Sequence, residues 1–136
     1  MKTLRRTNFL LFVAMVIIAT VSTSCSKESE PNAIINVSTV ANNSGDVKGN
    51  GGTATRTWKF KNSSSTTGWD MSINATSGSF QLVLKDAAGT TVLDKTLTAG
   101  VSSQSADGTT PSGTSGEWTA TATLLNFSGS GDYSFR

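Results

Sequence analysis

The sequence lacks histidine altogether and contains a single cysteine, Cys25, among 136 residues. Histidine is the commonest general base and neutral metal ligand, so its absence excludes Ser–His triads and histidine-based metal centres. One cysteine forms no internal disulfide and is too few for a zinc site. We therefore expect no catalytic residue, no metal site and no cofactor.

Charge is also sparse and balanced. There are eleven Lys and Arg against nine Asp and Glu, and three of the basic residues lie within the first six positions. The rest of the chain thus carries eight basic and nine acidic side chains. This balance offers no basic surface for nucleic acid, so we expect no nucleic-acid partner.

The first 24 residues have the layout of a secretory signal peptide. Basic side chains precede an unbroken apolar run at residues 9–19, and small residues follow up to Cys25. Even when it is counted to Val21, the apolar stretch is shorter than the roughly 20 residues that a spanning helix needs. We interpret residues 1–24 as a leader rather than as a transmembrane anchor.

Cys25 follows three small residues, Ser22, Thr23 and Ser24. The arrangement resembles a bacterial lipobox, which implies cleavage before Cys25 and acylation of its thiol. Several acyl chains would anchor the protein durably, because each buried methylene contributes about 0.8 kcal/mol. The alternative is an ordinary cleaved signal peptide that leaves a stray thiol near the new N-terminus.

Residues 25–32 are predicted to be an acidic flexible tether. The residues directly after the cysteine resemble the short export signal of surface lipoproteins of the Bacteroidota; they are Ser26, Lys27, Glu28, Ser29 and Glu30. That resemblance implies a lipid-anchored outer-membrane protein displayed on the cell surface, with a periplasm-facing domain as the alternative. Any hydrophilic tether has a similar composition, so this simpler interpretation stays open.

Residues 33–136 are predicted to form one domain, because apolar and polar residues alternate with a period of two along most of it. No stretch has helical periodicity. The pattern predicts an all-β fold, a single antiparallel β-sandwich of jelly-roll or Ig-like type with about seven to eight strands. The alternating runs occupy residues 33–40, 53–61, 69–75, 80–84, 90–98, 117–125 and 126–136.

Two stretches are predicted to be loops. Residues 41–52 are rich in Gly, Asn and Ser, which favour turns and positive φ. Residues 100–116 form a low-complexity segment that is longer than compact domains usually contain. This second segment is either a mobile surface loop or a recognition loop whose polar side chains bind a sugar or a partner.

Three segments resemble the bacterial pre-peptidase C-terminal domain and related jelly-roll modules. They are residues 80–89 (FQLVLKDAAG), 116–121 (GEWTAT) and 129–135 (GSGDYSF). The resemblance implies a jelly-roll sandwich over roughly the last sixty residues. It supplies no function, because one fold hosts many functions.

The tryptophans and carboxylates are the candidate site residues. Trp58, Trp69 and Trp118 share the parity of apolar neighbours, so they are predicted to pack in the core rather than stack on a sugar. Trp69 is the least constrained of the three, and with Asp107 it forms our candidate ligand site. The other carboxylates fit turn geometry and solubility better than a glycosidase pair or a calcium loop; they are Asp46, Asp70, Asp86, Asp94, Glu117 and Asp132.

These observations predict a lipid-anchored outer-membrane lipoprotein that is not an enzyme. We expect it to act as an interaction module, an accessory subunit whose partners are other envelope proteins. The alternative is a surface glycan-binding protein whose ligand is a polysaccharide.

Overall fold

The computed structural model describes residues 29–136, and every regular element in them is a β-strand. All pairings are antiparallel, in the order β1-β2-β6-β3-β4, with β5 pairing β3 as well. The strands are β1 Ala33–Ile35, β2 Ser44–Asn62, β3 Gly68–Lys85, β4 Thr91–Thr98, β5 Gln104–Thr109 and β6 Gly116–Phe135. The central strand is β6, which lies between β2 and β3 along almost its whole length.

Three strands are long enough to run through two layers. β2, β3 and β6 contain 19, 18 and 20 residues, well above the roughly 5–6 of a usual strand. The five-stranded layer consists of β1, β5 and residues 44–50, 127–135 and 68–75 of the long strands. The four-stranded layer consists of β4 and residues 54–62, 116–125 and 79–85.

The aromatic contacts show that the two layers pack face to face. Phe80 pairs with Leu124, which is nine positions from Tyr133 along the same strand, a separation of about 30 Å in a straight strand. The ring centroids of Phe80 and Tyr133 are nevertheless 6.1 Å apart. Phe60 and Phe135 likewise stack at 4.8 Å across the interface. The sheet therefore folds over on itself into an antiparallel β-sandwich, which confirms the predicted fold class.

The fold-over occurs where all three long strands leave regular register. The pairing shifts between Asn50 and Ala54 in β2, and between Ala75 and Ser79 in β3. Gly78 has φ +82° and Asn126 has φ +46°, in the left-handed region that bends a strand sharply. We call this band of irregular pairing the corner.

The core lies between the layers and is built from the inward-facing residues that alternation predicts. Trp118, Tyr133, Phe80 and Phe127 are its largest fully buried side chains. The other buried apolar residues are Ile35, Val47, Phe60, Met71, Ile73, Ala75, Leu82, Leu84, Val92, Leu97, Ala120, Ala122, Leu124 and Phe135. Their burial is the main favourable term in folding.

The predicted loop at residues 41–52 is wrong over most of its length, because Ser44 to Asn50 are the first half of β2. Glycine here serves close packing rather than a turn. A Cβ on Gly45 would overlap the Asn36 carbonyl oxygen and the Tyr133 hydroxyl, which donates a hydrogen bond to that oxygen at 2.8 Å. The strand therefore requires glycine where composition indicated a flexible segment.

The predicted loop at residues 100–116 is also partly wrong. Gln104–Thr109 forms β5, which pairs with residues 68–73 of β3. The sequence does not predict this strand, because Ala106 is the one apolar side chain along it and the apolar–polar alternation of a strand is therefore missing. The strand count differs too: several predicted runs join into single long strands, so residues 29–136 contain six strands in place of the expected seven to eight.

Residues 86–89 form the turn between β3 and β4, in which the backbone N–H of Gly89 donates to the Asp86 carbonyl at 3.0 Å. The carboxylate of Asp86 is buried and accepts hydrogen bonds from the backbone N–H groups of Ala88 (3.0 Å), Thr90 (2.8 Å) and Thr114 (2.8 Å). The bond from Thr114 is the largest influence that lowers the pKa of Asp86 below its ordinary value. Asp86 therefore joins the β3–β4 turn to the segment before β6.

Candidate functional site

The outer face of the five-stranded layer carries short polar side chains in rows that cross the strands. Lys48, Ser130 and Asn74 occupy one row, and Asp46, Asp132 and Ser72 occupy the next. They point outward because their chain neighbours face the core, among them Val47 and Ile73.

A cavity of about 700 Å³ opens on this face beside residues 29–32. Ile34 of β1, Lys48 and Asn50 of β2, and Ser130 of β6 line it, together with the N-terminal segment. Ile34 is 47% exposed and is the main apolar surface in the cavity. The volume lies within the roughly 300–1,000 Å³ that is usual for small-ligand sites.

A second cavity of about 220 Å³ adjoins the first, because Ser130 lines both. Its other polar side chains are Ser72, Asn74, Ser103 and Asp132. We call the two adjoining cavities together the polar groove. It crosses β1, β2, β6 and β3, a span of about 15 Å at the usual strand spacing.

The polar groove is rich in hydrogen-bonding groups that are free to meet a ligand. Among residues 29–136, the side chains of Asn74, Ser103 and Ser130 have no hydrogen-bond partner, and all three are exposed. Asp132 accepts a hydrogen bond from the Ser72 hydroxyl at 3.0 Å, which fixes its carboxylate at the side of the groove. The groove therefore presents both hydrogen-bond donors and hydrogen-bond acceptors.

Carboxylates dominate the charge of the surrounding face. Asp46 lies directly opposite Asp132, and Asp70 directly opposite Asp107. Partial burial raises the pKa of Asp70, whereas hydrogen bonds from Arg136 and Ser134 and the charge of Arg136 lower it. The lowering effects together exceed the effect of burial, so the pKa of Asp70 lies below its ordinary value. The face therefore carries more negative than positive charge, since Lys48 and Arg136 are its cations.

The structure places the predicted ligand residues Trp69 and Asp107 on opposite faces of the five-stranded layer. Trp69 is half-buried on the inner side, where its ring lies 3.3 Å from the position of a Cβ on Gly108. Asp107 is exposed on the outer side, opposite Asp70. Neither residue lines the polar groove, so the pair does not form one site.

The other two tryptophans are fixed by hydrogen bonds to backbone carbonyls. Trp118 is fully buried and its Nε1 donates to Thr114 at 2.8 Å. Trp58 is half-buried; its Nε1 donates to Asn42 at 2.8 Å and its ring lies 5.3 Å from that of Tyr133. The predicted core packing is confirmed for Trp118 and is partial for Trp58 and Trp69.

Ser72, Asn74 and Ser130 are not among the site residues that the sequence predicts. Each was visible only as a polar residue of outward parity, which is ordinary in a half-buried strand. The signal that remains in the sequence is the alternation of Ser and Asp with Gly at residues 128–132. Pairing of β3 with β6 brings these residues together, and a single sequence does not encode that pairing visibly.

The residues of the predicted lipidation site and export signal are only partly within the described chain. Cys25, Ser26, Lys27 and Glu28 lie outside it, whereas Ser29 and Glu30 are exposed and contact Asn50. Within residues 29–136, no helix is long and apolar enough to cross a membrane. The same residues contain no group of three His, Cys, Asp or Glu side chains placed to hold a metal ion.

No protein-family model and no curated protein matches the sequence. In structure, the chain is similar to the arabinose-bound MgGH51 α-L-arabinofuranosidase, with 14% identity and a TM-score of 0.40 over 77% of this chain and 22% of that one. It therefore spans about a fifth of that protein's length. It is also similar to a CBM4 structure (14% identity, TM-score 0.40, 78% and 86% covered) and to BiXyn10A CBM1 in its apo form (6% identity, TM-score 0.38, 76% and 86% covered).

Proposed function

We propose that this chain is a non-catalytic module, lipid-anchored at Cys25, that binds a hydroxyl-rich glycan in the polar groove. The observation that carries the proposal is the groove itself, where free hydroxyl and amide groups adjoin the exposed apolar side chain of Ile34. A sugar ring presents the same combination, hydroxyl groups around its edge and C–H groups on its face. Sites with few, well-placed polar groups orient such ligands.

The positions of the carboxylates support binding rather than hydrolysis. Glu30 and Asp132 line the groove, and both side chains are exposed. A glycosidase keeps its acid in apolar surroundings that hold the proton at neutral pH. Neither carboxylate has such surroundings, so the groove suits recognition of a glycan without its cleavage.

Blocking the groove tests this function. Ser130→Tyr places a bulky ring where the two cavities meet, and we expect it to abolish retardation in affinity electrophoresis against a panel of neutral and acidic polysaccharides. Thr96→Tyr, on an exposed strand position of the four-stranded layer, is the matched control and should migrate like the wild type. If no polysaccharide retards the wild type, or if Ser130→Tyr binds equally well, the glycan proposal is wrong.

Anchoring is tested separately. Because the proposed acylation requires the thiol, we expect Cys25→Ala to release the protein from membranes or to block its processing, as followed by fractionation and mobility. A variant that remained in the outer-membrane fraction at mature size would contradict the lipid anchor.

An accessory role in an envelope complex remains the second candidate. It is supported by β5, whose backbone pairs with β3 alone among residues 29–136 and leaves one edge open for a partner strand. Recovery of a stoichiometric membrane protein with the tagged full-length chain would favour this candidate.

A further inference from the structure

The segment before β1, residues 29–32, is attached to the sheet by hydrogen bonds to one residue, Asn50. The Asn50 amide nitrogen Nδ2 donates to the Ser29 hydroxyl at 3.1 Å and to the Glu30 carbonyl at 3.4 Å. Its Oδ1 accepts from the backbone N–H of Asn32, and the backbone N–H of Asn50 donates to the Asn32 carbonyl at 2.9 Å. Asn50 thus uses both its amide donor and its amide acceptor on this segment.

Little else holds the segment in place. All four of its residues are exposed, and burial begins only inside β1, at Ile35. A stretch held by exposed hydrogen bonds with few buried apolar contacts opens more readily than the core of a protein. The docked position of residues 29–32 is therefore easily biased by anything that contacts both the segment and the sheet.

The larger cavity lies between this segment and the sheet. Ser29, Glu30, Pro31 and Asn32 form one wall, and Ser130 belongs to the opposite side. We propose that residues 29–32 take part in glycan binding as one wall of the larger cavity, and that a bound glycan holds them against Asn50. This inference rests on the proposed glycan function. Since the coupling is reciprocal, docking of the segment must also strengthen glycan binding.

The coupling has a consequence for the anchored protein. Only Ser26, Lys27 and Glu28 separate Cys25 from Ser29, so the chain between them spans at most about 14 Å. When the segment is docked, the larger cavity must open close to the lipid surface. The ligand is accordingly a glycan that reaches the membrane surface, and its binding restricts how the domain is oriented there.

The test compares Asn50→Ala with Asn62→Ala in the full-length protein in mild detergent. Both asparagines belong to β2, but the Asn62 side chain donates to Thr66, at the far end of the strand. Against the polysaccharide that retards the wild type most, Asn50→Ala should raise the dissociation constant roughly three- to tenfold. Asn62→Ala should leave it unchanged.

Hydrogen exchange supplies the second measurement. Glycan should slow exchange of the Asn32 amide in the wild type and in Asn62→Ala, but not in Asn50→Ala. Ser29→Ala removes a contact from the segment alone and should weaken binding in the same direction, which separates the effect from any damage to β2.

The outcomes distinguish this inference from the function on which it rests. If Ser130→Tyr abolishes binding while Asn50→Ala and Ser29→Ala bind like the wild type, the groove binds glycan and the wall has no part in it. Unchanged exchange at Asn32 on glycan binding overturns the inference as well. If no form is retarded by any polysaccharide, the glycan function and the inference both fail.

Discussion

Replacing Trp118 with alanine is expected to lower the free energy of unfolding by about 3–5 kcal/mol, the usual loss for a large aromatic residue in a core. Trp118 has no exposed surface and meets Phe60 edge to face, with ring centroids 6.2 Å apart. It lies in β6, the central strand of both layers. The cavity left by the indole would therefore lie beneath a strand that is paired on both sides, where few neighbours can move in to fill it.

Urea denaturation followed by circular dichroism measures this loss. Trp118→Phe is the matched control, because it keeps an aromatic ring and removes mainly the hydrogen bond from Nε1 to Thr114. We expect the phenylalanine variant to lose about 1–2 kcal/mol. A loss below about 1 kcal/mol for Trp118→Ala would contradict the central position that the structure gives this residue.

Gly78→Ala is the second large effect that we expect, about 2–4 kcal/mol of lost stability. The backbone of Gly78 has φ +82°, which L-residues with a Cβ adopt only at a cost. A Cβ there would also overlap the carbonyl oxygens of Leu125 and Asn126 in β6. Relief of that overlap would require β3 and β6 to separate at the corner.

Gly89 provides a control that separates the two causes. Its φ is +86°, nearly the same as that of Gly78, but no atom lies within 4 Å of the position of its Cβ. Gly89→Ala should therefore show the conformational cost alone, about 1 kcal/mol. Equal losses of stability for the two variants, measured by urea denaturation, would mean that the strands at the corner are free to move apart.

The sequence predicts which residues face the core better than it predicts where strands end. Ala120, Ala122 and Leu124 are buried as alternation requires, and so are Phe127 and Phe135 on the other side of the corner. At the corner the sequence pattern predicts a turn between two separate strands, because Gly and Asn favour positive φ both in turns and in bulges. Continuity through the corner depends on pairing with neighbouring strands, which local composition does not reveal.

The candidate site was less predictable for a related reason. Trp69 and Asp107 were chosen as residue types that often contact sugars or partners, and the sheet separates them onto its two faces. Ser130 and Asn74 have no distinctive local signal, since a Ser or Asn of outward parity is common in β-proteins. They become a candidate site only because β3 and β6 pair beside the segment that precedes β1.

The central place of β6 in both layers also governs how the chain can acquire its structure. β6 follows every other strand in sequence, and neither layer is continuous without it. Its pairing with β2 joins residues more than fifty positions apart, and such distant pairing makes folding slow. During synthesis, the earlier strands can therefore complete neither layer until β6 has emerged.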